Sequence, residues 1–211
     1  MTTVQLETPV VKRIKWARVV SDVLSPPAVW GALIIPVALQ FSPSASEALF
    51  WALLYGVMVC LVPVLFIAYM VWMGKIGDMH MKERHERYMP MLVTIVSTTL
   101  GVLLLKLWGA PIALPLFAMV SLVQLLVMSL VTLYWQISMH AMGITGATVA
   151  ISIVFSLQVA LLTIPLIMLV GLARLVLKRH TPMQIFAGAM VGLFVPLALF
   201  LLVPQVLQAV L

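Results

Sequence analysis

The chain has 211 residues, of which 64% are hydrophobic and 9% charged, with a formal net charge of +6. Such a balance excludes a soluble globular domain, because spanning helices need about 20 apolar residues each and most of this chain lies in runs of that kind. The expectation is an all-α, polytopic transmembrane bundle forming a single domain, with the lipid bilayer rather than nucleic acid as its surroundings.

The acidic residues narrow the chemistry further. All six (Glu7, Asp22, Glu47, Asp78, Glu83, Glu86) fall in the first 86 positions. Paired Asp-rich motifs that hold magnesium need carboxylates at two separated places. A proton-coupled transporter usually needs an acid inside its bundle. The four histidines lack zinc-site spacing, since His80 and His85 are five apart. No metal or cofactor is therefore expected, and chemistry would have to run on His, Arg and Lys. Cys60 is the single cysteine, so no internal disulfide forms. The fifteen methionines read as packing filler.

In chain order, residues 1–21 form a basic segment with Lys12, Arg13, Lys15 and Arg18, and no small-residue cleavage site follows it. The transmembrane domain is expected over 22–211. Its helices are placed at about 22–41 and 47–73, separated by Ser42-Pro43-Ser44-Ala45-Ser46. A polar segment occupies 74–90. A third helix runs to about Leu107, and Gly109-Ala110-Pro111 makes a hairpin into a fourth at about 112–136. The stretch 143–174 reads either as one long tilted helix or as two short ones turning near Ser156-Leu157-Gln158. A last helix starts at Pro182 and reaches about Leu207. Six or seven membrane segments result.

Parity puts the 74–90 loop and Ser138/His140 on one side, joined by Arg174 and His180 if 143–174 is two helices. Lys106 alone among the twelve Lys and Arg then lies on the other side. The positive-inside rule places the N-terminus and the polar segments in the cytoplasm, so the expected location is a multi-pass integral membrane protein, of the inner membrane in a bacterium.

Three polar segments could carry chemistry. In 173–184, Thr181, Pro182 and Gln184 form a capping-box pattern, which by itself makes an ordinary helix start. The same geometry offers free N–H groups to an anion, with Arg174, Lys178, Arg179 and His180 beside it. In 137–146, Ser138 and His140 precede Gly143, Thr145 and Gly146, which allow close backbone approach. Phosphoryl transfer through histidine needs one imidazole to attack and another group to protonate the leaving oxygen, so two histidines suit it. In 74–90, Lys75, Lys82, Arg84, His85 and Arg87 alternate with acids. That loop reads either as solvated ion pairs or as a clamp over a head group.

In this order the segments resemble the type 2 phosphatidic acid phosphatase superfamily, whose motifs run Lys-x6-Arg-Pro, Pro-Ser-Gly-His and Ser-Arg-x5-His-x3-Asp on a core of six helices. Ile137-Ser138-Met139-His140 aligns with the second motif. Ala173-Arg174, five residues, His180, three residues and Gln184 match the third in spacing. The resemblance covers roughly residues 74 to 192 and favours two helices between motifs. It implies a metal-independent phosphatase acting on a membrane lipid phosphate, such as phosphatidic acid or a polyprenyl phosphate or diphosphate. His180 would be the nucleophile and His140 the acid for the departing alcohol. Gln184 would orient His180. Arg174 and Ser138 would bind phosphate, with Lys82, Arg87 and Arg84 as candidates from the first motif. The departures are Gln184 in place of the third-motif acid, Met139 in place of glycine, and His80 seven residues before Arg87 where the family has lysine. A protein of this fold that binds lipid phosphate head groups, or scaffolds a complex, without turnover is the alternative.

Overall fold

The computed structural model describes residues 9–81 and 83–202, with side chains from Lys15 onward. All regular structure among these residues is helical. Helix α1 (Pro9–Val23) and helix α2 (Pro26–Phe41) are broken apart at Ser25-Pro26-Pro27, with a bend of 44°. A proline lacks the N–H that would continue the ladder and disfavours helical backbone in the residue before it. The break turns the end of α1 inward.

Helices α3 (Ala45–Tyr55) and α4 (Val62–Trp72) are one span joined by a π-helical turn, Gly56–Leu61. Pro63 follows that turn, and its ring and missing N–H cannot be fitted into a regular α ladder. A polar loop leads through a short 3₁₀ turn, His85–Arg87, into α5 (Tyr88–Leu107). Gly109, in the left-handed region at φ 81°, turns the chain into α6 (Ala113–Thr132).

The ambiguous stretch is broken. Helix α7 (Met139–Val154) ends before Ser156, whose side chain caps the short α8 (Leu157–Leu161), and α9 (Ile164–Val176) follows. After a tight loop comes α10 (Pro182–Leu202). Among the described residues, five helical spans are long and apolar enough to cross a membrane, six if the bent α1–α2 pair is one span, and α7 is a shorter apolar helix. The protein is a multi-pass integral membrane protein. Exposed Tyr69, Trp72, Tyr134 and Trp135 lie beside the loops on one side and Trp108 beside the hairpin on the other, where amphipathic rings favour the membrane–water interface.

Helix α7 is the centre of the bundle. Every residue from His140 to Ala147 is buried. It touches α10 more extensively than any other helix pair touches, because Gly188 and Gly192 of α10 let the backbones meet. A Cβ on Gly188 would sit 2.4 Å from the Ser138 carbonyl oxygen, and one on Gly192 would sit 2.4 Å from that of Met142. Small residues four apart are the usual means of close helix approach in membranes. Beside this contact, Gly143 admits Pro26 of α2, and Gly146 admits the amide of Gln124 on α6.

Because the groups met at Gly188 and Gly192 are backbone, neither clash can be relieved by a side-chain rotation. Gly188→Ala and Gly192→Ala are each expected to destabilise the protein by about 1–3 kcal/mol, the usual range for overpacking. A thermal melt in detergent checks this, and an unchanged midpoint would contradict the close α7–α10 contact.

Candidate active site

The α7–α10 contact sets two motif segments against each other. Ser138 donates its backbone N–H to the Gln184 carbonyl at 2.9 Å. His140, in the first turn of α7, and His180, just ahead of α10, therefore line one cavity. Arg174 from the last turn of α9 and Arg87 from the start of α5 add to its polar wall, together with Asp22, Ser25 and His80. The cavity holds about 270 Å³ and is closed further by Pro26, Pro27, Val64, Ile67 and Met139.

His180 is 8% exposed and its Nδ1 lies 3.3 Å from Gln184 Oε1. The same oxygen accepts the Thr181 N–H at 3.0 Å, while Thr181 Oγ1 accepts the Gln184 N–H at 3.3 Å. The capping box thus forms as its spacing predicts. It also decides the tautomer. A backbone N–H needs an acceptor, so the atom facing Thr181 is the amide oxygen, and Nδ1 of His180 must be the donor to it. Nε2 is left with a free lone pair.

Burial, with repulsion from Arg174 and Arg87, pushes the His180 imidazole down from 6.5 to about 3. It is neutral at physiological pH. The unfolded chain takes up this proton near 6.5 and the fold refuses it until about 3, so stability held above that window is lost as pH falls through it. In an NMR titration the His180 ring should show no protonation above about pH 4.5; an inflection near 6.5 would contradict the burial.

Two residues that sequence reasoning passed over lie at the heart of the site. Ser21, in the last turn of α1, is fully buried. Arg174 Nη1 donates to its hydroxyl at 2.7 Å, and His140 Nε2 lies 3.0 Å from its carbonyl oxygen and 3.3 Å from Oγ. His140 therefore carries its proton on Nε2, donated to that carbonyl. His80 stacks on His140, with ring centroids 5.7 Å apart and planes at 19°. Its Nε2 lies 3.5 Å from Ser21 Oγ and 3.3 Å from Asp22 Oδ1. Both contacts use the same nitrogen, so Ser21, His80 and Asp22 do not form a hydrolytic relay of the serine type, which needs one ring nitrogen for each partner.

His80 enters through a structured loop. Asp78 Oδ1 accepts the His80 N–H at 2.7 Å, and Asp78 Oδ2 accepts from Arg179 Nη2 at 2.7 Å. Partial burial would raise the Asp78 carboxyl, but the Arg179 and His80 hydrogen bonds outweigh it and hold it below its usual range. Arg87, 4% exposed, fixes the other end by donating Nε to the Met81 carbonyl at 3.0 Å. Burial, followed by repulsion from Arg174, lowers the His80 pKa.

Of the expected site residues, His180, His140, Gln184, Arg174 and Arg87 come together. Lys82 lies outside the described residues. Arg84 is exposed on the loop and does not line the cavity. Ser138 does not face it either: its hydroxyl accepts the Ala141 N–H at 3.3 Å as the cap of α7. In this structure Arg84 is a solvent-facing charge and Ser138 a helix cap. Of the extra residues, His80 carried a signal in the sequence, its position seven before Arg87. Ser21 carried none.

Among the described residues, no group of three or more His, Cys, Asp or Glu side chains is arranged to hold a metal ion. Comparison with protein-family models, with curated proteins and with solved structures gave no match to this chain.

Proposed function

We propose that the protein is an integral-membrane lipid phosphatase, hydrolysing the phosphomonoester or diphosphate of a lipid through a phosphohistidine and needing no metal. The observation that carries this reading is the pairing of two histidines held in opposite tautomers on one cavity. His180 is neutral with Nε2 free to attack, while His140 presents a proton on Nε2. Arg174 and Arg87 stand beside them as phosphate ligands.

The steps follow from those atoms. A phosphate entering the cavity exchanges for the Ser21 hydroxyl on Arg174, whose fork suits phosphate oxygens better than a neutral hydroxyl. The entering phosphate group passes a proton to His140 Nδ1, making it an imidazolium. His180 Nε2 then attacks phosphorus, and the bond to the lipid oxygen breaks as His140 delivers its Nε2 proton there, releasing the alcohol and leaving a neutral ring. His140, now the base, takes a proton from water as the water's oxygen attacks the phosphohistidine. Inorganic phosphate leaves, and both histidines return to their starting state. Gln184 holds the imidazole through Nδ1–H in both steps.

An apolar chamber of about 110 Å³, lined in part by Trp30, Pro63, Thr98 and Gln124, adjoins this cavity and shares Pro26, Pro27, Val64, Ile67, Met81 and Met139 with it. A lipid chain whose phosphate lies between the histidines has an apolar path there. The core of six helices and the cytoplasmic placement of the motif face belong to the same proposal. The Lys and Arg distribution supports that orientation. Purified protein should release phosphate from a panel of phosphatidic acid and polyprenyl phosphates or diphosphates with EDTA present. No release from any of them would overturn the proposal.

The second reading, a lipid-phosphate-binding relative without turnover, is favoured by one specific contact. Ser21 engages both Arg174 and His140, so the end of α1 occupies the groups a substrate would use. Binding of lipid phosphate by a protein that releases none would establish that reading.

A further inference from the structure

A second cavity, of about 300 Å³, lies on the loop side of the first. The two share His80 and Arg174 as a common wall. Its remaining polar lining is Arg18 of α1 with Lys178 and Arg179 of the α9–α10 loop. Lys178 adopts φ 52°, a left-handed conformation costing about 1 kcal/mol or more in a non-glycine residue, and this turn brings the loop over the cavity. Among the described residues four cations line it and no carboxylate does; Asp78 meets Arg179.

Two of those cations have donors left over. Arg174 is 2% exposed, and its Nε has no hydrogen-bond partner among the described residues. Arg179 gives Nη2 to Asp78 but its buried Nη1 has no such partner. A buried donor without an acceptor costs about 1–3 kcal/mol, and more when charged. Unsatisfied guanidinium N–H groups on two arginines of one basic chamber fit a tetrahedral oxyanion, which accepts from several such donors at once.

We propose that this vestibule is a second phosphate site, which receives inorganic phosphate released at His180 on its way to water. The source of the phosphate rests on the phosphatase reading; the binding itself does not. The lipid alcohol departs on the apolar side and the phosphate on the basic side, so the two products do not share an exit.

Calorimetric titration of the full chain in neutral-lipid nanodiscs with inorganic phosphate tests this. Wild type should bind two equivalents. Arg18→Gln with Lys178→Gln should weaken one of them by about tenfold or more, the loss expected for charge-assisted hydrogen bonds. Phosphate inhibition of lipid phosphate hydrolysis should weaken in step, while kcat/KM for the lipid stays within about twofold. Arg179→Lys keeps a cation opposite Asp78 but removes Nη1, and should weaken the same equivalent if the double variant does not fold. No phosphate binding in wild type, or isotherms unchanged by both variants, overturns the proposal. Phosphate binding that the variants weaken, in a protein that hydrolyses no lipid phosphate, supports the vestibule and overturns the phosphatase reading. Hydrolysis with unchanged isotherms does the reverse.

Discussion

Replacing His180 with alanine should lower phosphate release from a lipid phosphate by about 10⁴- to 10⁶-fold, the range seen when a nucleophile or its partner is removed from a coupled catalytic unit. The size follows from what else the site can offer. Ser21 is held by Arg174 and His140, and His140 has its Nε2 proton committed to the Ser21 carbonyl, so among the described residues that line the cavity His180 is the imidazole held at Nδ1 with Nε2 open. His80 cannot substitute, because it is turned toward Ser21 and Asp22. Helix α10 should survive the change, since its cap is made by Thr181 and Gln184 rather than by the imidazole. A variant that melts like wild type yet retains more than about a hundredth of the activity would remove His180 from the nucleophile's role.

Gln184→Glu should act in the opposite direction. Glutamate has the same length, so a carboxylate oxygen can take the place of Oε1 and accept both Nδ1–H of His180 and the Thr181 N–H. Glutamate is also an ordinary capping-box residue, which leaves the helix start intact. The gain is charge. As His180 attacks, positive charge develops on its ring, and only a carboxylate stabilises it as an ion. Loss of that charge in a comparable triad costs about 10⁴ in rate, which sets the ceiling for the gain; an increase of about 10- to 100-fold is expected because Arg174 and Arg87 act on the same ring and offset part of the new charge. The His180 imidazole should also titrate at a higher pH than in wild type. Unchanged rate and titration together would reduce Gln184 to a helix cap.

Much of this site was legible in the sequence wherever local chemistry fixed it. Arg174, His180 and Gln184 sit at the end of one helix and the start of the next, where capping and turn residues carry strong signals, and their spacing survives folding because little separates them. The residues of 143–174 left one helix or two open, and the break falls at Ser156, which caps a new helix. Ser138 shows the ambiguity of such signals. A serine one residue ahead of a helix serves as its cap as readily as it could serve a ligand, and the geometry chose the cap.

Ser21 was not legible, because its contact with His140 spans 119 residues and depends on how α1 lies along α9. In the sequence it follows four cations that read as a topology signal. The choice of His80 from the polar loop was likewise set by tertiary contacts. Asp78 ties the loop to Arg179 and Arg87 ties Met81 to the start of α5, and this brings His80 to the cavity as the titratable side chain of the stretch, between Met79 and Met81. No periodicity in 74–84 encodes that direction.

The most direct test is to quench the protein in alkali during turnover of a lipid phosphate labelled on its terminal phosphate, and to map the label by peptide mass spectrometry. A phosphohistidine on His180, absent from His180→Ala, is the predicted result. Label on another residue, or turnover with no label on His180, would contradict it.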